Sequence, residues 1–349
     1  MSRLDEVAAL IAIPSVSRHE SAIADVVARA LRQAPHLDVE RVGDNVVART
    51  TGRHSRRLLV AGHVDTVPGD PTPQREGDRI TGVGACDMKG SLAVMLELAV
   101  DPTARPVEVT WVFYAREEIA RAESGLRELI ELRPDLVSAD VAVLAEPTGG
   151  SVEAGCQGSM RIGVTLRGRR AHTARPFMGV NAIHRAGALI QRVAGYLPRV
   201  AAVDGITFTE QLQVVKVEGG VAANVVPDEA RVTLNHRVAP DRDRESAWAS
   251  VLSFLSDVID DGDDVVLEDW APAAPPSLDS PDLARLVTLS GGNVRGKVGW
   301  TDVATFHESG IPAANFGAGD PTLAHHPDEA VSESELDDFA TVLRQWLAG

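Results

Sequence analysis

Apolar and polar positions follow two different rhythms along the chain. Up to about residue 155 the apolar residues come in nearly continuous runs. LLVAG (58–62), VEVTWVFYA (107–115) and VAVLA (141–145) are rich in β-branched and aromatic residues, the pattern of strands buried on both faces. A further strand is predicted at 45–50. Helices are predicted at 3–12, from a Ser17-x-x-Glu20 capping box to about residue 34, and over GSLAVMLELAV at 90–100. Helices alternating with buried strands predict an α/β fold: a mostly parallel twisted sheet with flanking helices.

Near residue 160 the rhythm changes. In SMRIGVTLRG, Met160, Ile162, Val164 and Leu166 alternate with Arg161, Thr165 and Arg167, a strand with one solvated face. A helix at about 181–196, strands at about 210–217 and 229–238, a helix at about 243–258 and a strand at 264–268 complete a β-α-β-β-α-β order. That order predicts a ferredoxin-like unit interrupting the first sheet. The Pro-rich stretch DWAPAAPPSLDSP (269–281) leads out of it. Ser280-Pro281 then opens a helix, IPAANFG (311–317) resumes the buried-strand pattern, and Ser332 with Glu335 boxes the last helix. The expected organisation is a discontinuous catalytic domain, 1–158 and 271–349, around a second domain at 159–270.

The composition narrows the function. With 349 residues, 44% hydrophobic and 24% charged, the chain has ample material for a core. A formal net charge of −16 repels phosphate backbones, so nucleic acid is not an expected partner. Two cysteines without a C-x-x-C spacing indicate neither a disulfide framework nor a thiolate metal site, and a cytoplasmic setting is expected. The N-terminal segment has Asp5 and Glu6 and breaks at Pro14, unlike a signal peptide, and no apolar run suggests a membrane partner.

The candidate chemistry sits where strands end. In LLVAGHVDTVPGD the apolar run stops at His63, and Asp65 points to the same side of an extended chain. Glu117 and Glu118 follow VEVTWVFYA, Glu146 follows VAVLA, and His325 lies a short loop beyond IPAANFG. Asp87 precedes a helix in GVGACDMKG. Parallel strands bring their carboxyl ends to one edge, so these residues can converge. One such placement is an ordinary solvated strand end; four on one sheet point to a metal or acid–base site. Two imidazoles and three carboxylates, one of them bridging, suit two divalent ions per subunit, zinc first, with cobalt or manganese also accommodated. Asp65 is then expected to accept the second ring N–H of His63.

GHVDTVPGD, GVGACDMKG, EEIARAESG, AEPT and AHHPDE resemble, in order, the motifs of the M20 family of di-zinc amidohydrolases and peptidases. The resemblance implies that His63 and Glu146 hold one zinc, Glu118 and His325 the other, and Asp87 bridges them. It implies Glu117 as general acid/base and a ferredoxin-like lid through which the chain forms a homodimer. In the family's H-x-x-x-E pattern, counting back from Glu329 selects His325 over His326. Within the family, GWTDVATF, FGAGDP and AHHPDE resemble the actinobacterial branch of the succinyl-diaminopimelate desuccinylases. That implies a small N-acyl amino acid substrate. Acetylornithine deacetylase, aminoacylase and carboxypeptidase activities, and a non-catalytic metal-dependent binder, are the alternatives. By motif, His172 resembles the catalytic histidine that reaches the partner subunit's site, and Asn224, Arg237, Ser159 and Thr301 resemble substrate-binding residues. Two departures touch carboxylate recognition: Thr305 stands where the family often has arginine, and GCQGS lacks the arginines of GRRGS. GVGACD and GGNVRGKV imitate nucleotide-binding loops but lack the final glycine and the Ser/Thr, respectively.

Overall fold

The computed structural model describes residues 2–349 and divides into two compact units. The first comprises Met1–Gly155, Pro276–Arg295 and Thr301–Gly349; the second comprises Cys156–Pro275 and Gly296–Trp300.

Among the described residues the first unit is built on one sheet of eight strands. Across it the order is Leu37–Val42, Asn45–Thr50, Glu108–Tyr114, Arg57–His63, Val141–Leu144, Ala313–Asn315, Val152–Cys156 and Val294–Lys297. The four strands from Glu108–Tyr114 to Ala313–Asn315 run parallel. The edge strand Leu37–Val42 and its neighbour Asn45–Thr50 are antiparallel, as is Val152–Cys156 against Ala313–Asn315. Every residue of Glu108–Tyr114 is buried, Glu108 and Thr110 included, as its β-branched and aromatic run predicts. Leu58, Val60, Trp111, Phe113 and Val143 share a core with the inner faces of helices Arg3–Ile11, Ser21–Leu31, Gly90–Val100 and Glu333–Leu347. Each such side chain contributes about 1.5–3 kcal/mol by leaving water. Gly62 lets the strand approach the helix layer closely, since a Cβ there would lie 2.5 Å from Met88 Cε. The box at Ser332 and Glu335 forms as predicted. The box at Ser17 and Glu20 does not: the helix starts at Ser21 without a side-chain cap and ends at Leu31 rather than near 34. No helix among the described residues is long and apolar enough to cross a membrane.

The second unit orders its main strands Gln211–Gly219, Glu229–Val238, Gly158–Arg167 and Asp264–Ala271, all antiparallel. With helices Ala182–Ala194 and Arg244–Leu255 the order along the chain is β-α-β-β-α-β. Met160, Ile162, Val164 and Leu166 are buried and form a core with Leu189, Val251 and Leu255. The last strand extends to Ala271, three residues into the stretch read as linker. Two short additions, the hairpin Val200–Val203/Ile206–Thr209 and the pairing of Ala171–His172 with Val225–Val226, carry too few residues to show a period.

Asp263 staples this unit. Its carboxylate accepts from the Arg167 and Asp260 amides and from both terminal nitrogens of Arg185. Burial opposes the charge, but Arg185 and the amides outweigh it and hold the carboxyl below the usual aspartate range. A depressed folded pKa stabilises above the ordinary value and loses its contribution as pH falls through the folded one. Asp263→Asn is expected to cost about 1.5–3 kcal/mol at neutral pH. In urea unfolding the gap to the native chain should close below about pH 4; a gap independent of pH would remove the ionised pair from this role.

Candidate metal centre

The carboxyl ends of the parallel strands converge. His63 is the last residue of its strand; Glu117 and Glu118 come three and four residues after Tyr114, and Glu146 two after Leu144. Asp87 lies in the turn Ala85–Lys89 that opens helix Gly90–Val100, and His325 in the loop after Ala313–Asn315. Asp87 faces both histidines: its Oδ1 is 3.1 Å from His63 Nε2 and its Oδ2 3.5 Å from His325 Nε2. On one side Glu146 Oε1 stands 3.9 Å from His63 Nε2; on the other Glu118 lies 2.9 Å from His325 Nε2. Three triads, His63–Asp87–Glu146, Asp87–Glu118–His325 and His63–Glu117–Glu118, each keep their ligand atoms within 4.8 Å of one another.

This is a cation-binding donor set. Carboxylates gathered at this density, with His63, Asp87 and Glu146 buried, repel one another unless positive charge sits between them. Two neutral imidazoles and three carboxylates, with one carboxylate presenting its two oxygens to different partners, fit a pair of divalent ions. Burial opposes a charge on His63, but Asp65 and Asp87 outweigh it and raise its pKa. Glu118 raises that of His325 to about 9 against its desolvation. Both shifts record the negative field of the surrounding carboxylates, the field a cation would meet here. Burial, and then the charge of Glu146, push the Glu117 carboxyl well above the usual glutamate range.

Asp65 stands beside the second ring nitrogen of His63, as expected, and does more. His63 Nδ1 lies 3.0 Å from the Asp65 carbonyl oxygen and 3.5 Å from the carboxylate. The carboxylate also reaches the loop after the neighbouring strand, accepting from the Glu117 amide at 3.0 Å, the Glu118 amide at 3.1 Å and the Ser17 hydroxyl at 2.7 Å. Glu20, buried, accepts from the Arg116 amide at 3.1 Å. Ser17 and Glu20, read from the sequence as a helix cap, thus support the loop that carries Glu117 and Glu118. Their spacing matches a capping box, and nothing local distinguishes the two uses. Arg116, at φ 62°, and His325, at φ 63°, adopt the left-handed backbone, a cost of about 1–3 kcal/mol each that the surrounding contacts must sustain.

Of the other candidates, Thr301 is buried in the first unit, just ahead of helix Val303–Glu308. The second unit carries Ser159, His172, Asn224 and Arg237. His172 is exposed; its Nδ1 accepts from the Ala174 amide, which leaves the ring hydrogen on Nε2. The Asn224 carbonyl accepts from the Thr173 amide beside it. Ser159 Oγ accepts from Asn235 at 3.2 Å. Arg237 is half-buried, its pKa lowered by desolvation, and among the described residues no carboxylate pairs with it. The two departures from the family pattern serve structure. Thr305 is buried and its hydroxyl donates to Asp302 at 2.6 Å. Gln157 is buried with its amide donating to the Thr209 carbonyl at 2.9 Å.

The chain is 48% identical to a Mycobacterium tuberculosis protein named provisionally as a succinyl-diaminopimelate desuccinylase, over 98% of this chain and 97% of that one. It is 42% identical to the succinyl-diaminopimelate desuccinylase of Corynebacterium glutamicum, over 97% of this chain and 94% of that protein. The M20 family metallo-carboxypeptidase of Sulfolobus solfataricus has the same fold, with a TM-score of 0.76 at 18% identity, covering 100% of this chain and 99% of that one. Residues 59–348 match the sequence pattern of Peptidase family M20/M25/M40, and the chain belongs to that family.

Proposed function

We propose that the protein is a metal-dependent hydrolase that cleaves N-succinyl-L,L-2,6-diaminopimelate to succinate and L,L-2,6-diaminopimelate, a step of diaminopimelate and lysine biosynthesis. The observation that carries the hydrolytic reading is Asp87 set between two histidine–carboxylate pairs, with Glu117 beside them. The succinyl substrate is supported by the relatives named for it at 48% and 42% identity.

His63 and Glu146 would hold one divalent ion, Glu118 and His325 the other, and Asp87 both. The donor set favours zinc and also accommodates cobalt or manganese. When bound, the ions supply Lewis acidity that polarises the scissile carbonyl and acidifies the attacking water. Glu117 takes a proton from that water as its oxygen bonds to the acyl carbon. It then gives a proton to the leaving nitrogen as the C–N bond breaks, so the water is consumed and Glu117 regenerated. His172, with its hydrogen on Nε2, would donate to the carbonyl oxygen from the partner subunit, a contribution of about 3–4 kcal/mol in comparable sites. Arg237, half-buried and without an anion of its own among the described residues, would take a substrate carboxylate, with Asn224, Ser159 and Thr301 as further contacts.

Residues 159–270 would act as lid and dimerisation domain, with 1–158 and 271–349 catalytic. The edge strand Gln211–Gly219 exposes Val215 and Val217, and Phe177 and Met178 are exposed in the same unit, a surface suited to a second copy of the chain. Val217→Glu is expected to convert the dimer to a monomer in light scattering, with loss of activity; a dimer that persists argues for another interface. The acidic composition, with only two cysteines and both of them buried, would suit a reducing cytoplasm.

Because Thr305 and Gln157 serve structure, a second reading is a different acyl specificity. A panel of N-acyl amino acids on the metal-reconstituted enzyme decides. The succinyl substrate should turn over orders of magnitude faster than N-acetylornithine, and comparable rates would defeat the assignment.

A further inference from the structure

Glu329 has no part in the chemistry above, yet its carboxylate is spent on one loop. It is 2% exposed. Oε1 accepts from the Asp87 amide at 2.9 Å and the Cys86 amide at 3.0 Å; Oε2 accepts from the Gly84 amide at 3.0 Å. Its own carbonyl accepts from the Gly82 amide at 3.0 Å. Four amides between Gly82 and Asp87 therefore end on one residue. The three bonds to the carboxylate are charge-assisted in a buried setting, about twice as strong as neutral ones.

The target of this grip matters. Asp87 is the residue whose two oxygens face different histidines, so a small rotation of its peptide moves one oxygen out of reach. Glu329 also lies only four residues beyond His325, whose backbone is left-handed. A stretch of 325–329 thus carries one histidine at its start and the anchor of the shared aspartate at its end. Asp65 does the corresponding work on the other arm by holding the Glu117 and Glu118 amides. Each buried carboxylate serves backbone N–H groups and leaves the reacting side chains free to point inward.

We propose that Glu329 is a positioning residue: its carboxylate ties the Gly84–Asp87 loop to the His325 segment and sets the orientation of Asp87 between the two histidines. The inference rests on Asp87 and His325 being metal ligands. It does not depend on which amide the enzyme cleaves.

The test uses the full chain stripped of metal, with cobalt(II) as the probe. Glu329→Gln keeps the volume but turns an NH2 group toward a backbone N–H; Glu329→Ala removes every acceptor. Support of an oriented ligand of this kind is worth about 10–100-fold in metal affinity. Cobalt affinity is expected to fall by that range, more for alanine than for glutamine, with a changed visible absorption band. Thermal unfolding of the metal-free variants should show that they remain folded. Folded variants with the native band and affinities within about threefold of native would overturn the proposal. If both variants fail to fold, the native chain decides by linkage. Cobalt loading should then slow hydrogen exchange at Gly84, Cys86 and Asp87 at least about tenfold, and unchanged exchange overturns the proposal. A native chain that binds no cobalt would sink the metal-centre reading and this inference with it, an outcome distinct from native binding that the variants leave unchanged.

Discussion

Glu117→Gln is expected to lower kcat by about 10²–10⁴-fold while the protein keeps both ions. Gln has the shape of Glu but can neither take a proton from water nor return it to the amine. The Glu117 amide that donates to Asp65 belongs to the backbone and survives the change. The triads His63–Asp87–Glu146 and Asp87–Glu118–His325 are untouched, so metal content and affinity should match the native protein. Elemental analysis beside steady-state kinetics separates the two effects. More than about a tenth of the native rate retained would take Glu117 out of the acid–base role.

The second large effect is expected at the shared ligand. Asp87→Asn leaves one oxygen where the native residue presents one to each histidine, at 3.1 and 3.5 Å. The amide nitrogen that replaces the other carries hydrogens and no useful lone pair. One ion should be lost on dialysis, and the affinity for it should fall by more than the roughly 100-fold upper range seen for indirect supports. Activity should fall with it and should not return at moderate metal excess. Chelator competition reads the affinity, and retention of both ions at native strength would refute a bridging Asp87.

Much of this was legible in the chain because parallel strands announce themselves. LLVAG and VAVLA leave no polar face, and VEVTWVFYA is dominated by β-branched and aromatic residues, so they are expected inside a covered sheet with their last residues on one edge. His63, Glu117, Glu118 and Glu146 follow from that rule alone. What stayed hidden is carried by backbone amides, which no side-chain pattern records. Asp65 reads as the partner of a histidine two residues away, and nothing in the pattern shows that its carboxylate also serves the amides of a loop about fifty residues on. Glu20 reads as a helix cap and holds Arg116. Glu329 marks the spacing to His325 but shows nothing of its grip on Gly84–Asp87. The strands at 37–42, 152–156 and 294–297 were missed because they lie at the sheet margins, where mixed composition replaces a clean apolar run. Thr305 and Gln157 suggested lost carboxylate contacts; both prove to be buried and engaged with Asp302 and Thr209.

The place of Ala313–Asn315 in the sheet, between Val141–Leu144 and Val152–Cys156, bears on how the protein is born. A nascent chain that has left the ribosome as far as residue 300 already contains every residue of the inserted unit. Its larger sheet still lacks an interior strand, and the edges of Val141–Leu144 and Val152–Cys156 that this strand will join stand unpaired. Biosynthesis therefore exposes two apolar, pairing-competent seams until residues 313–315 emerge, the interval in which a holding chaperone would have most to protect.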